Sequence, residues 1–206
     1  MRVISGAAAR LPPGLYQRLA HYRYQVFVEH LGWQLPAQGE AETDPFDGPE
    51  AVYVVAEEPN GELSGCARLL PTSSPYLLSR NFPEVLNGAP APCDSTIWEL
   101  SRFCAVQLSS RKHTSLSDFP NSSAAMLMRA AMSCAADYGA RRLVTVTALA
   151  MERLIRRLGI HSHRMGPPCV VNGEPIYGCW VCFLPWLRLL RIRFMRRAGP
   201  RRSPCT

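Results

Sequence analysis

Six charged side chains of this 206-residue chain fall where hydrophobic patterning leaves no place for a solvated charge. Arg23 lies one helical turn before Phe27, among apolar neighbours. Asp44 and Asp47 bracket Pro45-Phe46, and Arg68 interrupts the apolar run Cys66 to Leu70. Glu99 and Arg102 sit inside Ile97-Trp98-Glu99-Leu100-Ser101-Arg102-Phe103-Cys104. A charge removed from water is costly unless paired, so three acids and three arginines at core-like positions predict one shared polar network. Its chemistry would be that of carboxylates able to accept a proton and guanidinium forks shaped for carboxylates. The spacing also poses a geometric question. In a regular strand Glu99 and Arg102, three apart, face opposite sides of a sheet. Either a bulge near Leu100 or Ser101 turns both into one site, or Glu99 faces inward and Arg102 pairs elsewhere. Patterning does not choose.

The elements that must position these groups read as mixed α/β. Met1 to Ala7 is a short strand. Leu15 to Leu31 forms an amphipathic helix with Leu15, Leu19, Tyr22 and Val26 on one stripe, punctuated by Pro12-Pro13-Gly14 and Gly32. A long polar loop, Gln34 to Glu50, follows, and loops of that length inside domains usually carry function or move. Val52 to Glu57 and Leu63 to Leu69 flank Pro59-Asn60-Gly61-Glu62, a hairpin signal. Thr96 to Val106 is a further strand. Ser122 to Tyr138 is a helix capped by Asn121 and ending near Gly139. Leu143 to Thr147 is a buried strand and Met151 to Leu158 a helix. Val170-Val171, Asn172-Gly173 and Ile176 to Phe183 form a last hairpin.

Composition narrows the class. With 47% hydrophobic and 19% charged residues the chain is globular, and no run approaches the roughly 18 apolar residues of a membrane span. Met1 to Leu11 lacks the pattern of a secretory signal, which predicts a soluble, cytoplasmic protein. The net charge of +7 is local. Seven of the 23 basic residues, all arginine, lie between Pro185 and Thr206, leaving 16 basic and 16 acidic residues elsewhere. The division is therefore a single domain over 1–184 and a basic C-terminal tail over 185–206, the latter read as a solvated terminus. No helix-turn-helix, zinc finger or aromatic-basic ribbon points to nucleic acid. Cys66, Cys93, Cys104 and Cys134 sit in apolar or small-residue segments, as buried free thiols do. Cys179-Trp-Val-Cys182 has half the spacing of a zinc site but no second pair, so it reads as strand. His161-Ser-His163 lacks supporting ligands and reads as a solvated loop, so no metal site is expected.

In order and spacing, Arg23, Phe27, Trp33, Asp44, Asp47, Arg68, Phe82, Glu99 and Arg102 resemble the signature of the LuxI-type acyl-homoserine lactone synthases. The segments Tyr22 to Phe27, Asn81-Phe82-Pro83-Glu84, Trp98 to Phe103 and Val144 to Thr147 are especially similar, and octanoyl-type members look nearest. The likeness runs from Met1 to Phe183; the basic tail lies outside it. It implies an α/β/α sandwich with a mixed central sheet, like that of the GNAT acyltransferases, in which a central strand splays to expose backbone donors to a thioester. It also implies a bacterial enzyme that joins an acyl chain to S-adenosylmethionine, then releases methylthioadenosine as the lactone closes. S-adenosylmethionine is then a consumed substrate, and no cofactor is required. The Arg/Gln-x-x-Gly-x-Gly/Ala loop that holds coenzyme A pyrophosphate in the acetyltransferases is missing before either later helix, which favours an acyl carrier protein as donor. The rival reading is a coenzyme A-dependent GNAT-type N-acetyltransferase.

Under this resemblance Glu99 is the first candidate for the base that takes the amine proton and Asp44 the second, while Asp47 orders the amine and its loop. Arg23 and Arg102 pair with these acids or with the substrate carboxylate. Phe27, Trp33 and Phe82 supply aromatic walls for adenine and sulfonium, with Arg68 and Phe103 beside them. Met126, Thr145, Leu149 and the strand around them line an apolar tunnel with Ser101 at its mouth. Thr145 is the position associated with 3-oxo chains, which leaves chain oxidation open beside the octanoyl likeness. Arg141, Arg142, Arg153, Arg156 and Arg157 form a basic group suited to an acidic carrier protein.

Overall fold

In the computed structural model, which describes residues 1–35, 37–109, 122–171 and 173–183, the β-branched runs become strands of one central sheet. In chain order the strands are β1 (Arg2–Ala7), β2 (Ala37–Gln38), β3 (Ala41–Glu42), β4 (Val52–Glu57) and β5 (Leu63–Pro71). They continue with β6 (Ile97–Cys104), β7 (Arg142–Thr147), β8 (Ser162–Arg164), β9 (Cys169–Val171) and β10 (Glu174–Cys182). The helices are α1 (Leu15–Arg23), α2 (Leu77–Asn81), α3 (Ser123–Asp137) and α4 (Leu149–Arg157). The sheet order is β1-β4-β5-β6-β7-β10-β8, with β9 on a further stretch of β10. Among the described residues only β6 and β7 pair in parallel; the other pairs of the sheet are antiparallel, and β2 and β3 form a separate two-stranded antiparallel sheet.

Both faces of the sheet are covered. Val52, Val54 and Ala56 of β4, Ala67 and Leu69 of β5, and Trp98 and Leu100 of β6 pack against α3 and α4. Tyr53, Val55, Cys66 and Ile97 face α1 and the segment from Tyr76 to Leu86. Strands buried on both sides read as continuous apolar runs, as Val52 to Glu57 does. The expected α/β/α sandwich with a mixed sheet is the fold observed. Ser122 Oγ accepts the Ala125 N–H at 3.2 Å and caps α3; Asn121, the expected cap, lies outside the described residues.

Three local features depart from the sequence reading. The first helix is regular only to Arg23 and then widens into a π-helical stretch, Tyr24–His30. Wide turns of this type concentrate at functional sites, and here one carries the chain from Arg23 through buried Phe27 to Trp33. The pair His161 and His163 flanks no loop: Ser162 to Arg164 is the edge strand β8, hydrogen-bonded to β10. Cys93 is exposed, unlike the buried Cys66, Cys104 and Cys134. The hairpin at Pro59 to Glu62 forms as expected, with Gly61 at φ 86, where a side chain would be strained.

The strand that matters most is β6. It pairs with β7 only at Ile97, Trp98 and Glu99, so the two strands part beyond Glu99. On its other edge the register with β5 slips: Ser101 faces Arg68, but Cys104 faces Cys66. Three steps on β6 answer two on β5, which is a bulge. Arg102 occupies it at φ 48. The bulge lies one residue beyond the positions expected, and it resolves the question of facing. Ile97, Glu99 and Ser101 point to the α1 side, and the inserted residue turns Arg102 to that side as well.

Candidate active site

The buried charges close into a ring. Arg23 reaches Glu42 at 2.5 Å and Asp47 at 2.8 Å. Arg68 reaches Asp47 at 2.9 Å and Asp44 at 2.5 Å. Arg102 completes the circuit to Asp44 at 2.8 Å and Glu42 at 2.9 Å. Each guanidinium touches two carboxylates and each carboxylate two guanidiniums, so three positive and three negative charges alternate and cancel. That neutrality is what permits six charges at side-chain exposures of 6% or less. The arginines come from α1, β5 and the β6 bulge; the acids all come from the polar loop after α1.

The loop is held in shape locally. Asp44 and Asp47 cap one turn, with Phe46 N–H donating to Asp44 Oδ1 at 2.9 Å and Asp44 N–H to Asp47 Oδ2 at 2.8 Å. Tyr53 on β4 donates its hydroxyl to Asp47 Oδ1 at 2.9 Å. Burial would raise the Asp47 carboxyl, but its hydrogen bond to Arg23 and the charges of Arg23 and Arg68 hold it well below the usual carboxylate range. Asp47 therefore stays ionised and is not a proton acceptor. Two guanidinium nitrogens, Nη2 of Arg23 and Nη2 of Arg68, are buried without a hydrogen-bond partner among the described residues. Unpaired donors in such a place are costly and are suited to a ligand oxygen.

Glu99 departs from the expected network. The third acid of the ring is Glu42, which sequence reasoning missed. Glu99 is 1% exposed and binds no arginine. Its Oε1 accepts the Leu78 N–H at 2.6 Å and its Oε2 the Leu77 N–H at 3.0 Å, at the start of α2. Burial pushes its carboxyl up to about 6, against the pull of those two amides and of the Arg68 and Arg102 charges. Glu99 is also the last β6 residue paired with β7, so its backbone stands where the two strands part. Nothing in the sequence separates Glu42 from its neighbour Glu40, since both stand in the acid-rich loop two residues apart.

The aromatic residues divide. Trp33 is 45% exposed and stacks on Phe27 at 4.9 Å between centroids and 21° between planes. The Arg102 guanidinium lies 5.8 Å from the Phe27 centroid, so indole, phenyl and guanidinium form a stack running from solvent to the ring. Phe46, which sequence reasoning did not single out, packs beneath Arg68 at 5.7 Å. Phe82 follows α2 and is half-buried in the α1-side core. Phe103 lies on the opposite face, against the α3 and α4 core, so the bulge keeps it out of the ring. Ser101 Oγ accepts from Arg68 Nε at 3.2 Å. Thr145 is buried, whereas Met126 and Leu149 are exposed. Met126 lies in the first turn of α3 and Leu149 begins α4, two residues after β7 ends.

Comparison with known proteins decides the family. A family model described as autoinducer synthase matches residues 14–184. The chain belongs to the autoinducer synthase family. The acyl-homoserine-lactone synthase of Acinetobacter nosocomialis is 42% identical over 181 residues, covering 88% of this chain and 99% of the relative. That of Ralstonia solanacearum is 44% identical over 183 residues, 88% of each chain. Among solved structures, TofI in a ternary complex with an inhibitor and MTA superposes with a TM-score of 0.75 at 43% identity, over 88% of this chain and 91% of that one. The synthase LasI gives 0.76 at 31% identity, over 88% and 89%. The enzyme is thus an acyltransferase of the acyl-homoserine-lactone synthase type, and the ionic ring, the aromatic stack and the splayed strand lie within the matched residues. A N-acetyltransferase from Lactobacillus plantarum shares the fold alone, at 19% identity and a TM-score of 0.56. Among the described residues no helix is long and apolar enough to cross a membrane.

Proposed function

We propose that the enzyme transfers a medium-length acyl chain from an acyl carrier protein to the α-amine of S-adenosylmethionine, then closes the lactone and releases methylthioadenosine. The observation that carries this reading is the neutral ionic ring with two unmet buried guanidinium donors, beside an exposed aromatic stack and the point where β6 parts from β7. A zwitterionic amino acid bearing a sulfonium suits such a place. Its carboxylate meets Arg23 Nη2 and Arg68 Nη2, and its sulfonium lies over Trp33.

The acyl chain enters between β6 and β7, with Thr145, Met126 and Leu149 along its path and Ser101 near its carbonyl. Backbone donors freed where the strands part hold the developing oxyanion. A free α-amine titrates near roughly 7.7–8.0, and it attacks only when neutral. Glu99, poised at about 6 beside the start of α2, takes its proton directly or through one water. Two of its lone-pair positions bind α2 amides, which leaves others for the proton. Asp44 is the second candidate, and Asp47 orders the loop and the amine through Asp44. Amide formation expels the carrier thiol. The substrate's carboxylate then attacks its own γ-carbon, and holding these two atoms together is the protein's main task because the sulfonium leaves readily.

The missing pyrophosphate loop and exposed arginines on α4 and at the start of β7 support a carrier protein as donor. Arg153, Arg156 and Arg157 project from α4; Arg141 and Arg142 lie at the other end of β7, with Arg142 over Trp180 at 5.3 Å. Purified enzyme given S-adenosylmethionine and octanoyl carrier protein should release methylthioadenosine and free carrier thiol in equal amounts. Faster turnover with octanoyl coenzyme A would overturn the donor assignment, and acyl transfer without methylthioadenosine would overturn the acceptor.

A further inference from the structure

Two buried thiols that this chemistry does not use face each other beside the ring. Cys66 on β5 and Cys104 on β6 are direct partners in the antiparallel register, and their sulfurs are 3.5 Å apart. Directly opposed residues of such a pair have Cα atoms about 4.5–5.5 Å apart, within the span a disulfide bridges. The pair closes one end of the bulge, with Arg68 and Ser101 paired at the other. The Cys66 thiol donates to the Arg102 carbonyl oxygen at 3.2 Å, and Arg102 is the residue whose guanidinium joins Glu42 to Asp44. The Tyr22 hydroxyl stands 3.8 Å from the Cys104 sulfur and is itself bound to Val106 at 2.7 Å, so the Cys104 end of the pair is held in place.

We propose that Cys66 and Cys104 are a reversible disulfide site, closed by a peroxide, and that its closure switches lactone synthesis off. Hydrogen bonding to Cys104 and burial push the Cys66 thiol up, so Cys104 is the sulfur that ionises first. Its thiolate attacks one peroxide oxygen, the O–O bond breaks, and hydroxide leaves to become water as Cys104 becomes a sulfenic acid. The Cys66 sulfur then attacks the sulfenic sulfur. The S–O bond breaks, the hydroxyl departs with the Cys66 proton as a second water, and the S–S bond forms. Two thiols lose two electrons and one peroxide is reduced to two waters. The sulfurs must close to about 2.05 Å, which draws β5 and β6 together at the bulge. Closure also removes the thiol hydrogen from the Arg102 carbonyl. Arg102 then no longer spans Glu42 and Asp44, and the substrate site loses its shape.

The test treats the full chain with hydrogen peroxide, alkylates the remaining thiols and digests it without reductant. Mass spectrometry should find the peptides of Cys66 and Cys104 joined, with two hydrogens lost. Lactone output should fall in step with that species and return with dithiothreitol. Cys66→Ser keeps a donor for the Arg102 carbonyl but cannot close the bond, and Cys104→Ser blocks it from the other strand. Each should synthesise lactone and resist peroxide, and if one fails to fold the other carries the comparison. Absence of the joined peptide, undiminished output with the bond closed, or equal loss of output in either variant would each overturn the proposal. The effect on output rests on the lactone-synthase reading, whereas the joined peptide does not, so the two failures are separable.

Discussion

At the scale of single residues, the site separates two carboxyl environments. Asp47 is surrounded by donors and held ionised, while Glu99 is buried with backbone amides alone at bonding distance and sits near 6. For Glu99 the folded value lies above the ordinary 4.5. Its contribution to stability is therefore present below about 4.5 and is lost as pH rises through about 6, a change of about 2 kcal/mol. For Asp47 the sign is opposite: its contribution is present above the ordinary aspartate range and disappears as pH falls below it. Urea unfolding of the parent should show a slope between pH 4.5 and 6.5 that Glu99→Gln removes. Under the proposed role of Glu99 as the amine's base, the variant should also lower turnover by roughly 10²–10⁴ and abolish the acid limb near pH 6, with S-adenosylmethionine still bound. Near-normal turnover would transfer the role to Asp44. Glu42→Gln tests the ring instead. It leaves Arg23 and Arg102 each short of a buried counter-charge, and should cost about 3–5 kcal/mol, read as a lower urea midpoint. The arginines, Asp44 and Asp47 were legible as a network because each interrupts an apolar run or brackets a turn. Glu42 was not, because one acid in an acidic loop carries no mark of which way the loop folds.

At the scale of elements, the chain depends on irregularities that periodicity cannot display. A π-helical stretch carries Arg23, Phe27 and Trp33 to one place, and a bulge places Arg102 beside Arg68 and Asp44. The need for a bulge was readable from the spacing of Glu99 and Arg102, but its position depends on tertiary pairing with β5, where Ser101 and Cys104 find partners two residues apart. The hairpins, α3 and β7 were readable because turn residues and apolar runs act locally. The short helix α2 was not, since five residues flanked by Pro75 and Pro83 give no period; side-chain acceptance by Glu99 of β6 holds its first turn. Gly65 tests how closely these elements fit. A Cβ there would stand 2.9 Å from Leu127 Cδ2 and 3.0 Å from the Cys104 carbonyl oxygen. Gly65→Ala should therefore force β5, β6 and α3 apart at the bulge, costing about 1–3 kcal/mol and lowering turnover by displacing Arg102. Unchanged urea unfolding and kinetics would show slack at this junction.

For the whole molecule, the α/β/α architecture was legible because strands buried on both faces and helices between them admit few arrangements. Chemistry was legible only through the order of nine polar and aromatic residues that the fold gathers from α1, its following loop, β5, the α2 segment and β6. Charge divides the chain in a different way. The family match ends at residue 184, and the segment from Pro185 to Thr206 holds seven arginines and no acid, against 16 basic and 16 acidic residues before it. The ring is neutral by itself and takes its counter-charges from within the matched residues, so the tail's charge is not needed to balance the site. Deleting Pro185 to Thr206 should leave lactone synthesis in place. Its effect should fall on charge-dependent encounter: if the tail draws in an acidic carrier protein, kcat/KM for the carrier should drop at low salt and converge with the parent at high salt, because exposed charges are screened. Turnover at saturating carrier should not change. A soluble, folded truncation without turnover would place part of the catalytic unit beyond residue 184, whereas equal salt dependence in both proteins would leave carrier attraction to the arginines of α4 and β7.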